Sequence, residues 1–200
     1  MTETMPTGPH LVSVLDALAD LLAQAQPEHY SNATPCDDFD VAVLRSHILA
    51  WAQFFTVSLE QPDGSGDQLD VDTYEAPADP AEAAALLRSV GQRISACIEG
   101  GVASAPVTLF GSPMPGWMVM GMCLGEYLAH GHDLAQGLGL PWNPPAEAVA
   151  TALEFMPMML TDDFRGPDKS FGYPVEVPES ASDLDKLVAF TGRDPYWKAA

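Results

Sequence analysis

The sequence predicts an all-α fold, a bundle of four long helices followed by shorter helical segments. Apolar residues recur every three or four positions in four separate segments, as they do along the buried face of an amphipathic helix. Signals for helix starts and stops flank these segments, and the alternating pattern typical of β-strands is almost absent. Helices that each bury one face pack against one another, so the pattern indicates a bundle. The four segments are 10–25, 41–59, 80–99 and 117–138.

The first two helices are predicted from their apolar stripes. The stretch "TPCDDFD" (34–40) is typical of a turn, and Asp40 is a suitable N-cap for the helix over 41–59 because its carboxylate can accept a backbone N–H. The stripes consist of Leu11, Val14, Leu15, Leu18 and Leu22 in the first helix and of Leu44, Ile48, Trp51 and Phe55 in the second.

A long acidic loop and a well-marked third helix follow. Residues 60–80 contain glycine, proline and many carboxylates without periodicity, which indicates a solvated loop. The third helix has Asp79 as its N-cap, Pro80 in its first turn and Glu82 in the capping-box position. Its buried face is predicted to hold Leu86, Leu87, Val90, Ile94 and Ile98, and Gly100–Gly101 end it.

The remaining elements are a glycine-rich fourth helix and two shorter ones. The connector "VTLFGSPMPG" before the fourth helix has room for a short extended piece. Glycines within 117–138 lower helix propensity by on the order of 1 kcal/mol each, so their presence indicates close packing against a neighbour or a ligand. A fifth helix is predicted over 143–160, with Asn143 as its cap and Pro157 bending or ending it, and a last one over 182–190.

Charge and composition narrow the range of partners. The chain has 28 acidic and 8 basic residues, a formal net charge of −20, which argues against binding to nucleic acid or anionic membranes. Two hundred residues suit a single domain over 1–200. We expect a cytoplasmic protein, since no signal peptide is visible and its three cysteines lack any pairing pattern. The partners expected are small molecules, and exposed bundle faces leave room for a homodimer.

A group of polar residues in the fourth helix could carry chemistry. In "GEYLAHGHDLAQGLG", Glu126 and His130 lie four residues apart, roughly 40° apart on one helix face, and Asp133 follows one turn later. His47 lies beside the apolar stripe of the second helix, so its imidazole is a candidate partner inside the bundle. Two imidazoles and a carboxylate suit Zn²⁺, Ni²⁺ or Fe²⁺ and leave positions open for water or substrate. On spacing alone, however, a surface Glu–His pair and a hydrogen-bonded core histidine are the commoner interpretation.

Three motifs resemble one known family. "TPCDDFDVAVLRSHILAW" resembles the T-P-C-x-x-[WF]-x-V-x-x-L-x-x-H opening of the DinB-like family related to mycothiol-dependent maleylpyruvate isomerase, and "GEYLAHGHDLAQGLG" resembles its E-x-x-x-H-x-W-D-[LV]-A segment. The tail "KSFGYPVEVPESASDLDKLVAFTGRDPYW" is similar to the ending of an actinobacterial subgroup of metal-binding proteins without assigned reactions. The resemblance spans nearly the whole chain.

This resemblance implies an up-down-down-up four-helix bundle that holds one divalent metal ion, with zinc first and nickel or iron as alternatives. The ligands it implies are His47, Glu126, His130 and water, and Asp133 would orient a ligand histidine. Maleylpyruvate isomerases use the metal to activate a low-molecular-weight thiol, and relatives transfer similar thiols to electrophiles.

Two departures from the family pattern affect the expected substrate. His132 replaces the family's tryptophan, which would alter the pocket wall or add a polar group. Residues 165–200, expected to pack on the bundle as an extension, are too short to form the isomerase's second domain, so maleylpyruvate itself is not expected.

The leading hypothesis is a metal-dependent enzyme that uses a mycothiol-like thiol for transfer to, or isomerisation of, a small electrophile. Trp51, Phe54 and Phe55 are candidates for the pocket wall, and no catalytic side chain is assigned. The alternative is a non-catalytic bundle that binds a metal or small ligand. A third hypothesis is a metal-free interaction protein that makes contacts through the acidic loop over 60–80.

Overall fold

The computed structural model describes residues 5–36, 38–66, 69–167 and 169–199, and it is mostly helical. Residue 37 of the expected turn and residues 67 and 68 of the expected acidic loop therefore lie outside the described residues. The helices and strands, in chain order, are α1 (Thr7–Leu22), α2 (Val41–Glu60), α3 (Pro80–Glu99), β1 (Pro106–Leu109), β2 (Ser112–Pro115), α4 (Gly116–Leu138), α5 (Ala146–Met159) and α6 (Asp183–Phe190).

The first four helices form the bundle, which confirms the predicted all-α class. Helix α1 packs against α3 and α4, and α2 packs against the same two helices. Their facing sides share one continuous apolar core, in which most of the predicted stripes are buried, while Leu86, Ile98 and Trp51 lie at its edge. Burial of these side chains is the main source of stability for such a bundle.

Helix starts agree with the cap predictions at Asp40 and Asp79, and Ser182 caps the last helix in the same way. Asp40 Oδ1 accepts the Val43 N–H at 2.9 Å, Asp79 Oδ1 accepts the Ala81 N–H at 2.8 Å, and Ser182 Oγ accepts the Asp185 N–H at 3.1 Å. These bonds satisfy backbone donors that the first turn of a helix leaves free.

The predicted bounds of two helices were wrong. Helix α1 runs over Thr7–Leu22 rather than 10–25, because Pro9 is tolerated in a first turn, where its missing N–H has no partner to lose. Helix α5 begins at Ala146, and Asn143 is not its cap. Pro144 and Pro145 follow that asparagine, and a residue before proline is held in extended conformation.

The connector before α4 folds into a small antiparallel hairpin. Strands β1 and β2 pair from Pro106–Pro115 to Leu109–Ser112. The turn between them consists of Phe110 and Gly111, both with positive φ, at 50° and 77°. Such a turn matches the twist of two paired strands. The side chain of Phe110 at this turn is 65% exposed.

Glycines on α4 let α5 approach closely, as their number predicted. A methyl group at Gly121 would overlap the ring of Phe155, and one at Gly125 would overlap the side chain of Met156. Both neighbours belong to α5, so α4 and α5 pack at short range next to the bundle.

The C-terminal segment packs against this α4–α5 pair. Helix α6 contacts both helices, and Arg165 anchors the preceding loop by donating to the carbonyls of Gly172 at 2.9 Å and Phe190 at 2.8 Å. The assignment of 1–200 to one domain remains a prediction. None of the helices in the described parts of the chain is long and apolar enough to cross a membrane.

Candidate metal centre

Helices α2 and α4 bring together the three residues proposed as ligands from the sequence. One donor atom each from His47, Glu126 and His130 lies within 4.8 Å of the other two. Glu126 Oε1 is 3.0 Å from His130 Nε2 and 3.6 Å from His47 Nε2. The carboxylate thus lies between two imidazoles from different helices.

His47 is positioned by its place on α2. It lies one residue before the buried Ile48 and one turn before Trp51, so its ring faces the edge of the core. The ring of Phe39 packs against it at a centroid distance of 4.7 Å, and the ring of His130 lies edge-on at 4.8 Å. These contacts restrict the imidazole to a narrow range of orientations.

His130 is oriented by a chain of charged groups. Its Nδ1 lies 3.1 Å from Asp133 Oδ2, as one helical turn on α4 allows. Arg193 Nε in turn donates to both oxygens of Asp133, at 3.2 and 2.9 Å. A proton on Nδ1 that is donated to Asp133 leaves Nε2, the atom beside Glu126, with its lone pair available for a metal.

The sequence predicted Asp133 in this role but gave no role to Arg193. The arginine is sixty positions away from Asp133 and belongs to the stretch "TGRDPYW". The small number of basic residues could have pointed to Arg193. A buried carboxylate such as that of Asp133 needs a cation as a partner, and the chain offers only eight.

Charge interactions within the cluster shift the pKa values. Burial raises the pKa of Glu126, but the charge and hydrogen bond of His130, the imidazole of His47 at 3.6 Å and the charge of Arg193 together hold it well below its ordinary value. Burial lowers the pKa of His130, and the charge of Glu126 with the bonds to Asp133 and Glu126 outweighs burial and raises it. Burial likewise opposes ionisation of Asp133, yet Arg193 and His130 keep its pKa low.

The donor set fits a divalent transition-metal ion. Two imidazole nitrogens and one carboxylate oxygen are typical ligands for zinc, nickel and iron. The Nε2 atom of His47 is buried and has no hydrogen-bond partner among the described residues, so it is free to donate its lone pair. The side chain of Glu126 is 26% exposed, which leaves one side of the cluster open.

That open side faces a cavity of about 390 Å³. Trp51 and Phe55 line it, as expected, whereas Phe54 does not and instead stacks on Phe110 at 5.7 Å. His132 does not line this cavity; of the two effects expected of it, the structure shows the other, a buried polar group beside Asp133. The wall residues that the sequence did not predict include Cys36, Phe39, Phe110, Lys169, Phe171 and Arg193.

Fold and site together define the class: a helical bundle whose second and fourth helices present a histidine–glutamate–histidine cluster to a cavity. The sequence profile of the mycothiol maleylpyruvate isomerase N-terminal domain matches residues 11–135, more than half of the chain. The chain belongs to this family, which confirms the resemblance seen in its motifs.

Relatives come from mycobacteria. Two uncharacterised proteins of Mycobacterium tuberculosis, one from strain H37Rv and one from strain Oshkosh, are each 26% identical to the chain over 185 residues. Each alignment covers 89% of this chain and 92% of the relative. No solved structure matches the chain.

Proposed function

We propose that the protein binds one divalent metal ion, zinc or alternatively nickel or iron, through His47, Glu126 and His130. We further propose that it uses this ion to activate a mycothiol-like thiol for transfer to, or isomerisation of, a small electrophile. Membership of the mycothiol maleylpyruvate isomerase family supports the link to thiol chemistry. The observation that carries the proposal is the convergence of the three donor atoms beside a cavity.

Three side chains would bind the metal ion, and two others orient one of these ligands. His47 and His130 would supply nitrogen donors from two helices, and Glu126 would supply negative charge between them. Asp133 and Arg193 fix the ring of His130, which reduces the reorganisation that ligand binding requires. When bound, the metal would lower the pKa of a coordinated thiol and so provide thiolate at neutral pH.

The cavity gives the thiol and the electrophile a place next to the cluster. Three protein donors leave at least one position of a tetrahedral ion for another ligand, which is the arrangement of catalytic rather than structural sites. Aromatic and methionine side chains make up much of the wall and would limit water near the reacting sulfur.

Metal content is the first test. Protein purified without chelators or nickel affinity resin is analysed by elemental mass spectrometry, as wild type, His47→Ala and His130→Ala. We expect about one equivalent of metal in the wild type and little in either variant. His10→Ala, on α1 and outside the cluster, is the matched control and should keep the metal. Equal metal content in all four proteins would refute the ligand assignment.

Thiol binding is tested on the cobalt-substituted protein. Addition of N-acetylcysteine should produce a thiolate-to-cobalt charge-transfer band, because an open coordination position accepts the sulfur. A bundle that only stores or senses metal with a filled coordination sphere would show no such band. That result would favour the non-catalytic alternative.

A further inference from the structure

The cavity has a higher proportion of positively charged side chains than the chain as a whole. Four charged residues line it, and Asp38 and Glu126 are formally balanced by Lys169 and Arg193. The protein as a whole carries −20, with eight cations in total. Two of those eight line this one cavity, so a bound divalent ion would make it cationic on a strongly acidic protein.

Most of the other basic side chains that the structure describes are paired with a carboxylate or a backbone carbonyl. Arg88 pairs with Asp20, Arg93 with Glu60 and Lys186 with Asp183. Arg45 and Arg165 donate to backbone carbonyls. Lys169 is exposed and makes no salt bridge within the described part of the chain.

Asp133 engages only some of the hydrogen-bond donors of Arg193. Its Nε bonds the carboxylate, and one terminal nitrogen reaches the Thr191 carbonyl at 3.4 Å. A guanidinium has five N–H donors, so the rest have no partner among the described residues. The side chain is 10% exposed and lines the cavity, which makes these donors available to an anion inside it.

Another part of the wall is aromatic. Phe110, 65% exposed on the hairpin turn, stacks on Phe54 at an angle of 20° and contacts the ring of Trp51 edge-on at 6.3 Å. A large exposed phenylalanine in a left-handed turn has no role in the core, yet it borders the cavity. A flat apolar group entering the cavity would find rings to pack against.

We propose that Lys169 and Arg193 form an anion subsite in this cavity and that the preferred electrophile combines a flat apolar body with a carboxylate. The carboxylate would bind the two cations, and the body would pack on Phe110 and Trp51 near the metal cluster. This inference extends the proposed function, which places the reaction at that cluster. Both cations lie beyond residue 135, outside the part of the chain that the family profile matches.

The test compares two probes of nearly equal shape, cinnamate and cinnamamide, by calorimetric titration at neutral pH. Zinc-loaded wild type should bind cinnamate several-fold more tightly. Lys169→Met should weaken cinnamate binding about 2- to 5-fold, the effect of a partly exposed charge pair, and leave cinnamamide unchanged. Lys186→Met, which removes a cation outside the cavity, is the matched control and should change neither. Phe110→Ala should weaken both probes alike.

A direct bond between carboxylate and metal would also favour cinnamate, and the lysine variant separates the two causes. If Lys169→Met behaves like Lys186→Met, or if neither probe binds at millimolar concentration, the anion subsite is refuted. The same titrations on metal-free protein separate this inference from the metal proposal. If the metal-free protein prefers cinnamate and Lys169→Met removes that preference, the anion subsite is supported even without metal. If the metal-free protein binds the two probes equally and also takes up no zinc, both the anion subsite and the metal proposal are refuted.

Discussion

Arg193 donates from Nε to both oxygens of Asp133, at 3.2 and 2.9 Å, and so ties the C-terminal segment to the helix that carries Glu126 and His130. Asp133 is fully buried and accepts a second bond from His130 Nδ1 when that nitrogen carries a proton. The orientation of a proposed metal ligand therefore depends on a residue sixty positions later in the chain.

Loss of the charge of Asp133 should weaken metal binding. In Asp133→Asn the side chain keeps its size but loses the charge that favours a proton on Nδ1 of His130. We expect zinc affinity to fall about 10- to 100-fold, the usual effect of removing such a partner. Competition with a chromophoric chelator measures it, and Asp16→Asn, on the exposed face of α1, should have no effect. Unchanged affinity in Asp133→Asn would show that His130 needs no orienting partner.

Removal of Arg193 should affect stability more than any exposed ion pair does. Arg193→Met leaves the buried carboxylate of Asp133 without its cation, and we expect the free energy of unfolding to fall by about 3–5 kcal/mol. Urea unfolding of metal-free protein measures the change. Arg88→Met breaks the exposed pair with Asp20 and should cost less than about 1 kcal/mol. Equal losses in the two variants would contradict the importance given to the buried pair.

Glycine positions on two helices should respond with opposite signs. Gly121→Ala places a methyl group against the ring of Phe155, and overpacking of this kind costs about 1–3 kcal/mol. Gly91→Ala on α3 meets only Val12, at 3.9 Å, so the gain in helix propensity should stabilise the protein by about 0.5–1 kcal/mol. Thermal unfolding of both variants checks the pair. Stabilisation by Gly121→Ala would mean that α4 and α5 are farther apart than described.

All three thiols should react slowly near neutral pH. Burial raises the pKa of Cys36, although Arg193 opposes it, and burial also raises the pKa values of Cys97 and Cys123. A raised pKa means less thiolate at a given pH, so alkylation should be slower than for N-acetylcysteine and should accelerate as the pH rises above 9. Mass spectrometry after timed iodoacetamide labelling measures each site. A cysteine that outpaces N-acetylcysteine at pH 7 would contradict the burial of that thiol.

Helical spacing and caps were enough to predict most of the fold. Leu44 and Ile48 were assigned to the core because the spacing of apolar residues follows the helix period, and Asp40 and Asp79 marked two starts within a residue. The starts of α1 and α5 were predicted wrongly because both lie near prolines. Proline is tolerated in the first turn of a helix as well as before it, so the sequence is compatible with more than one starting residue. The hairpin at Phe110 has strands of four residues, too short for a clear alternating pattern.

The site was predictable only where its residues share one helix. Glu126, His130 and Asp133 are linked by helical spacing, so their relationship follows from the sequence. The position of His47 beside them depends on how α2 packs against α4, and it was expected chiefly from family resemblance. Arg193, Lys169 and Phe110 reach the cavity through tertiary contacts of loops and termini, which no local period encodes.

X-ray absorption at the zinc edge of the zinc-loaded protein tests the central claim most directly, because it reports the atoms bound to the metal. We predict two imidazole ligands and oxygen donors at about 2.0–2.2 Å with no sulfur, and one imidazole fewer in His47→Ala. A sulfur shell in the protein without added thiol, or a spectrum unchanged by His47→Ala, would place the metal elsewhere and contradict the account.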